Sequence, residues 1–258
     1  MARAARVFGE REWLDSARRA LAFLRGALWR GGRLAATHKD GVTHLNAYLD
    51  DYAFMLVAVD EAMRTRFRLE DYAFARELAE ALLARFEDPA DGGFWFTSHD
   101  HEALIHRAKP GPDDATPSGN GMAALGLIAL GHLAGEPRYV AAAERAVRLF
   151  GPRMARSPRG YATLATALEA LERPPATVLL AGDPYLTASW HSALEQEVRL
   201  RVHVYDVGGV ALPPELCKGP AIEAGVAAWV CEGTACLPPV DSLPALRRIL
   251  DAQGIAGG

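Results

Sequence analysis

Apolar positions along the first two thirds of the chain recur at helical spacing and divide the helices into two kinds. Three segments carry Arg and Glu on one face, which predicts outer amphipathic helices: Arg11–Leu28, Glu70–Phe86 and Pro137–Phe150. Three others are apolar nearly all round, which predicts buried helices: Ala47–Met63, Pro117–Leu133 and Pro158–Glu172. The resulting order is outer helix, connection, buried helix, short turn and next outer helix.

The starts of the outer helices resemble one another, which indicates an internal repeat. Phe8–Ala20 runs parallel to Ala134–Ala146, and Leu69–Ala79 is a weaker copy. Each copy has an aromatic residue in its first turn and small residues on the stripe that follows, as in stacked helical hairpins. The unit of roughly sixty residues is longer than the usual short α-solenoid repeats.

Two connections into buried helices are much longer than packed helices need. They are predicted as loops with strand-like pieces: Arg30–Asn46 contains Gly32–Thr37, and Asp88–Thr116 contains Gly93–Thr97 and Ala103–Ala108. Because both connections travel in the same direction, we expect Ala47–Met63 and Pro117–Leu133 to begin side by side at one end of the helical array. We call this shared opening the mouth. Long loops in a compact array are usually functional.

The pattern changes at Arg173-Pro174-Pro175, which predicts a helical-hairpin domain over residues 1–173 and a small α/β subdomain over 174–258. The second part alternates short apolar strands with helices: Thr177–Ala181, Ser189–Glu197, Leu200–Val207, Val226–Val230 and Ser242–Leu250. This order predicts a partly parallel sheet.

Composition narrows the classes of partner. Half of the 258 residues are hydrophobic and the net charge is −4, which gives no electrostatic reason to expect nucleic acid or an anionic membrane. No apolar run reaches the ~20 residues of a membrane span, and Met1–Glu10 lacks a secretory signal, so a cytoplasmic protein is expected. Three cysteines do not make a disulfide framework.

Asp50 and Asp51 are placed at the start of a buried helix, with Tyr48 and Tyr52 beside them. Capping of the helix N-terminus explains one acid. Two adjacent acids flanked by aromatic rings also fit a site for a sugar or another polyol, because aromatic faces stack on the apolar faces of sugars. Both interpretations stay open at this point.

The second connection brings further polar residues to the same mouth. Asp113 and Asp114 are expected to oppose the first acidic pair, and Ser118 and Asn120 to lie at the next helix N-terminus, which favours polar ligands. Two opposed carboxylates are what glycoside cleavage requires. Asp51 and Asp113 are therefore the candidate catalytic residues.

Other candidates have simpler explanations beside the functional one. His99, Asp100, His101 and His106 have the residue types of a zinc site, but exposed loops collect such residues for solubility, and neither a metal nor a cofactor is predicted. Arg107 and Lys109 either hold an anionic group of a substrate or pair with neighbouring acids. His132, ~18 Å along its helix from the mouth, argues against the histidine centre of a sugar epimerase.

The cysteines also leave alternatives open. Cys231 and Cys236, with Cys217 nearby, can pair with each other or share a metal. Four intervening residues and the lack of a fourth ligand are weak evidence for a structural zinc site. Buried small thiols are expected instead.

Several stretches resemble the spermatogenesis-associated, thioredoxin-domain-containing proteins. They are Tyr48–Phe54, Asp91-Gly92-Gly93-Phe94, Lys109, Asp113, Pro117-Ser118-Gly119-Asn120 and the tail Val230-Cys231 with Cys236-Leu237-Pro238-Pro239. The resemblance implies part of an (α/α)₆ toroid similar to six-hairpin glycosidases and N-acylglucosamine 2-epimerases. The match covers only the family's C-terminal part. It does not include the thioredoxin-like domain and, by helix count, it leaves out about half of the toroid.

The chain departs from the family in two places. Asp114 stands where the family usually has Gly, and no Cys-x-x-Cys is present, so thioredoxin-type redox chemistry does not carry over.

The resemblance implies a fold more than a function. One expectation is that the mouth binds a carbohydrate-like molecule, with glycosidase- or isomerase-type acid–base chemistry. The alternative is a non-catalytic scaffold or subunit whose exposed flank pairs with a chain that carries the missing hairpins and thioredoxin-like domain. The residues leave open whether the protein is an enzyme.

Overall fold

Helices make up most of the first 172 residues, and a small sheet follows them. The computed structural model describes residues 1–102, 104–197, 199–219, 222, 224–233 and 235–252. The elements are α1 (Ala2–Phe8), α2 (Arg11–Leu28), β1 (Trp29–Arg30), β2 (Arg33–Lys39), β3 (Val42–Asn46), α3 (Leu49–Thr65), α4 (Leu69–Arg85), α5 (Gly119–Ala134), α6 (Pro137–Arg156), α7 (Ala162–Glu172), β4 (Ala176–Gly182), α8 (Pro184–Glu195), β5 (Val202–Asp206), β6 (Val226–Glu232), β7 (Ala235–Cys236) and α9 (Leu243–Ala252). The chain is therefore mainly α with a small α/β part, as predicted.

The centre of the helical layer is α5, which packs between α3 and α6. Its glycines allow this close approach: a Cβ on Gly126 would lie 2.9 Å from Leu56 of α3, and one on Gly131 would lie 2.8 Å from Val140 of α6. Ser118 caps the helix by accepting a hydrogen bond from Gly121 N, and Gly135 ends it in the left-handed conformation. The predicted buried helices α3 and α5 are confirmed.

The third predicted buried helix is different. Residues 158–161 form a 3₁₀ turn, and α7 starts only at Ala162. Within α7, Leu164 and Ala167 are buried while most other side chains are partly or fully exposed. The prediction of full burial for Pro158–Glu172 is therefore wrong, because α7 packs on α5 and α6 along one side only.

The connection over residues 30–46 is mostly sheet where a loop was predicted, and the strand-like piece Gly32–Thr37 is confirmed from Arg33 onward as part of β2. Strands β1, β2 and β3 form an antiparallel meander, in which Asp40 and Gly41 make the tight turn between β2 and β3 with φ of 52° and 77°. Asp-Gly between two extended runs is a standard hairpin signal, so the sequence contained this information. Leu34 anchors the meander to the helical core.

In the second connection, the predicted strand Gly93–Thr97 contributes only an isolated bridge between Glu87 and Phe94. The predicted strand Ala103–Ala108 is absent over residues 104–108, and Ala103 lies outside the described residues.

The C-terminal sheet has the order β5-β4-β6-β7, with β4 and β5 parallel and the other pairs antiparallel. This confirms the partly parallel sheet. Leu179, Tyr205 and Trp229 join the apolar core of the helices, whereas Val178, Val204 and Val230 pack in a second cluster with Leu194 of α8 and Leu246 of α9. The apolar core is thus continuous across the predicted division at residue 173.

Cys231 and Cys236 form a disulfide across the β6–β7 hairpin, and Cys217 is free and exposed. The expectation of three buried thiols is therefore wrong. Disulfides are rare in cytosolic proteins, so this pair gives no support to the cytoplasmic expectation. In the described part of the chain, no helix combines the length and the hydropathy needed to cross a bilayer.

Candidate functional site

The starts of α3 and α5 lie side by side, as predicted from the direction of the two connections. A Cβ on Gly119, the first residue of α5, would overlap Asp50 Oδ1 in the first turn of α3. Residues 94–96 run across both helix starts, because Leu49 N donates to Phe96 O and Asn120 binds Phe94. In the structure, we define this mouth by Tyr48, Asp50, Asp51, Phe96 and Gly119.

Asp50 is the chemically unusual residue of the mouth. It is half-buried, and its Oδ1 is buried without a hydrogen-bond partner among the described residues. Burial, and then the neighbouring Asp51, raise the pKa of the Asp50 carboxyl. A carboxyl that holds its proton more tightly than usual can act as a proton donor.

Asp51 is exposed and has a structural role as well. Its Oδ2 accepts a hydrogen bond from Tyr48 N at 2.8 Å, which caps the start of α3. The Tyr48 ring stacks on Phe96 with 4.9 Å between centroids and 10° between planes. His101 lies at the edge of this stack, 6.0 Å from the Tyr48 ring. Phe96 is a mouth residue that sequence reasoning missed, because nothing local connects it to Tyr48.

Tyr52, predicted as a substrate-binding residue, lies in the core. It is 1% exposed, and its hydroxyl accepts a hydrogen bond from Leu34 N at 2.7 Å. The structure therefore does not bring Tyr52 to the mouth with Tyr48; it uses Tyr52 to attach the β-meander to α3.

Asn120 and Ser118 are also occupied by the protein itself. Asn120 is 0% exposed; its Oδ1 accepts from Phe94 N at 2.7 Å, and its Nδ2 donates to the carbonyls of Phe94 and Pro110 at 3.0 and 2.8 Å. Ser118 is buried as the cap of α5. Both residues hold the second connection against the helix instead of presenting groups to a ligand.

Asp113 links the starts of two helices. Its two oxygens accept hydrogen bonds from Ser118 N at 2.8 Å and Thr163 N at 2.9 Å, at the beginnings of α5 and α7. Burial alone would raise the pKa of Asp113, but the amide donors, Thr163 foremost, outweigh it and the pKa is lowered. Asp114 beside it is exposed.

Lys109 and Arg107 are used within the second connection. Lys109 Nζ pairs with Asp88 at 2.7 Å, donates to Gly92 O at 2.8 Å and lies 4.3 Å from the centre of the Trp95 ring. The Arg107 guanidinium covers the same ring at 4.8 Å and donates to Thr97 O. Lys109 was expected either to hold an anionic group of a substrate or to pair with a neighbouring acid, and in the structure it pairs with an acid.

The residues that had the types of a zinc site make separate contacts in the structure. His99 Nε2 contacts Glu87 O at 2.9 Å, while Asp100 pairs with Arg33 and Arg85. Across the described residues, no three side chains of His, Cys, Asp or Glu are grouped so that they could hold a metal ion.

A concave surface that sequence reasoning missed lies where α1, the end of α3 and α8 meet. A cavity of about 800 Å³ is lined there by Arg6, Phe8, Thr65 and His191, among others. Arg6 pairs with Glu61 at 3.2 Å and Glu195 at 3.1 Å. These residues are far apart in sequence, and no local signal connects them.

When the chain is compared with known protein families and with curated proteins, neither comparison gives a match.

Proposed function

We propose that the chain is the C-terminal toroid part of a thioredoxin-domain-containing protein, and that its mouth binds a carbohydrate-like polar molecule for acid–base chemistry. The observation that carries this proposal is the Asp50 carboxyl, which has a raised pKa and an unpartnered buried oxygen between two helix starts. The reaction class is hydrolysis or isomerisation of a sugar-like substrate.

The mouth supplies three things that such a ligand needs. The stacked Tyr48 and Phe96 rings offer a flat apolar surface for a sugar face. Asp51 offers exposed oxygens that accept hydrogen bonds from hydroxyl groups. Asp50 supplies the proton, because its environment differs from that of Asp51 although the two are adjacent. Asp113, with its two amide bonds, keeps the mouth in shape instead of reacting.

The test is binding and turnover of a panel of monosaccharides and nitrophenyl glycosides, measured by calorimetry and absorbance. Asp50→Asn is expected to keep the fold and binding but to abolish turnover, while Asp51→Asn weakens binding. Asp114→Asn is the matched control, because it removes the charge of an exposed Asp on the second connection, outside the mouth. The proposal is wrong if the wild-type chain binds nothing in the panel, or if Asp50→Asn turns over substrate as the wild type does.

A second candidate function, a scaffold or subunit that pairs with another chain, is favoured by the surface of α1 and α2. Val7 and Phe8 of α1 are 59% and 69% exposed, and Trp13 of α2, whose ring meets that of Phe8, is 38% exposed. Exposed apolar groups in one region are typical of protein–protein contacts.

A further inference from the structure

A second cavity, separate from the mouth, lies at the edge of the C-terminal sheet. It has a volume of about 360 Å³ and is bounded by Ala181 and Gly182 at the carboxyl end of β4 and by Val207 just after β5. These two strands are parallel neighbours. The crevice outside the carboxyl ends of parallel strands is where α/β sheets commonly bind ligands.

The walls of this cavity are apolar. Leu179, Val207, Leu216 and Trp229 line it, and each is buried in the core. The volume lies at the low end of the range of about 300–1,000 Å³ found for small-molecule sites. A ligand of this site therefore has a small apolar body.

One cation, Lys218, lines the same cavity. It is half-buried, and its Nζ donates to Glu215 O at 3.3 Å. Burial lowers the pKa of Lys218, and only the neighbouring Cys217 opposes this effect. Of the chain's three lysines, Lys109 is paired with Asp88 and Lys39 is exposed on β2. Within the described residues, Lys218 makes no ion pair, and its printed contact is with a neutral backbone carbonyl.

We propose that this cavity binds a small amphipathic acid, with its apolar chain against Leu216 and Trp229 and its carboxylate on Lys218. Apolar walls alone would accept an alcohol or an amine equally well. The ammonium selects the acid, because a carboxylate forms a charge-assisted hydrogen bond with it. The site is independent of the sugar-like ligand proposed for the mouth.

Cys217 gives a direct way to observe occupancy. It also lines the cavity, and it is free and exposed while Cys231 and Cys236 are paired. A ligand seated on Lys218 is expected to slow alkylation of the adjacent Cys217 thiol by a maleimide.

The experiment uses octanoate, with octanol and octylamine as matched probes, on the full chain with its disulfide intact. We expect octanoate to slow alkylation of Cys217, and Lys218→Met to weaken octanoate binding in calorimetry by roughly tenfold, the loss of one hydrogen bond to a charged group. Lys39→Met is the control and should bind as the wild type does. Cys217→Ser should retain binding, because the thiol only reports on it.

Three outcomes would overturn the proposal. The first is alkylation that octanoate leaves unchanged, and the second is equal protection by octylamine. The third is unaltered octanoate binding by a Lys218→Met chain whose circular dichroism matches that of the wild type.

Discussion

At the scale of single residues, the polar groups in the mouth and those next to it differ in whether the fold gives them a hydrogen-bond partner. Every side-chain oxygen and nitrogen of Asn120 and Asp113 has a backbone hydrogen-bond partner. Asp50 differs, since its buried Oδ1 has no partner among the described residues. A polar group that the fold leaves unsatisfied is a better candidate for function than one that the fold already uses.

Replacement of Asn120 by Asp tests its structural role. Asp keeps the acceptor for Phe94 N but places an oxygen against the carbonyls of Phe94 and Pro110. We expect the free energy of unfolding to fall by about 3 kcal/mol at pH 7, from two lost hydrogen bonds and a buried charge. Urea denaturation measures this. Asn46→Asp, in a partly exposed strand residue, should change stability by less than about 0.5 kcal/mol, and equal losses would contradict the role of Asn120.

The pH dependence of Asp50→Asn tests the state of its carboxyl. Because the folded-state pKa is raised above the value of 3.8 expected for an unperturbed Asp, protonation stabilises the folded chain. That stabilisation is complete below about pH 3.8 and is lost as the pH rises through the folded-state pKa. The stability of the wild type relative to Asp50→Asn should therefore fall in urea denaturation as the pH rises from about 3.8 through the folded-state pKa. A difference that stays constant with pH would refute the raised pKa.

At the scale of elements, α5 depends on packing more than on its own helix propensity. It contains glycines in its interior, which weaken an isolated helix. Those glycines let α3 and α6 approach closely, so that the apolar contacts they permit offset the loss. The mouth forms because α3 and α5 already lie this close together at Gly119, the first residue of α5.

Gly119→Ala tests this approach. A methyl group there would overlap Asp50 Oδ1 and lie 3.1 Å from Leu49 Cγ, so we expect a loss of about 1–3 kcal/mol in thermal or urea unfolding. Gly26 in α2 has no atom within 4 Å of such a methyl group, and Gly26→Ala should instead stabilise the chain by about 0.5–1 kcal/mol. If both substitutions stabilise the chain, the close contact between α3 and α5 is wrong.

The β6–β7 hairpin offers a second test at this scale. The disulfide between Cys231 and Cys236 closes a short loop, and the loop-entropy relation gives a stabilisation of about 2 kcal/mol. A chain with both residues replaced by Ser should lose about this amount, and a reducing agent should lower the stability of the wild type but not of the variant. Cys217→Ser, which removes no bond, is the control. Equal stability with and without reductant would show that the pair is not formed.

At the scale of the whole molecule, the apolar surface of α1 and α2 bears on the choice between the two functions. Val7 and Phe8 are adjacent exposed residues of α1, and the ring of Phe8 meets that of Trp13 edge-on at 5.9 Å. The same region borders the cavity of about 800 Å³ around Arg6. If the chain is a subunit, this surface is where its partner packs.

The scaffold function predicts self-association or aggregation of the isolated chain through this surface. Sedimentation equilibrium should give a mass above 27.8 kDa, and Phe8→Glu should restore the monomer mass, because a charge cannot be buried there without a partner. Val42→Glu, at another exposed apolar residue, on the β-meander, should leave the mass unchanged. A stable wild-type monomer would count against the partner function and leave the mouth proposal intact.

The sequence by itself determined the helices, the C-terminal strands and the meeting of α3 with α5, because periodicity, caps and chain direction are local properties. It also carried the Asp40-Gly41 hairpin signal. Only the tertiary structure decided which polar residues are free. Asn120 meets Phe94, and Asp113 meets Thr163, fifty residues away. The sequence pattern of Asp50 resembles that of Asp113, but whether backbone donors reach each carboxyl depends on segments folded from elsewhere in the chain. That difference separates Asp113, whose oxygens the fold uses, from Asp50, whose Oδ1 has no partner among the described residues.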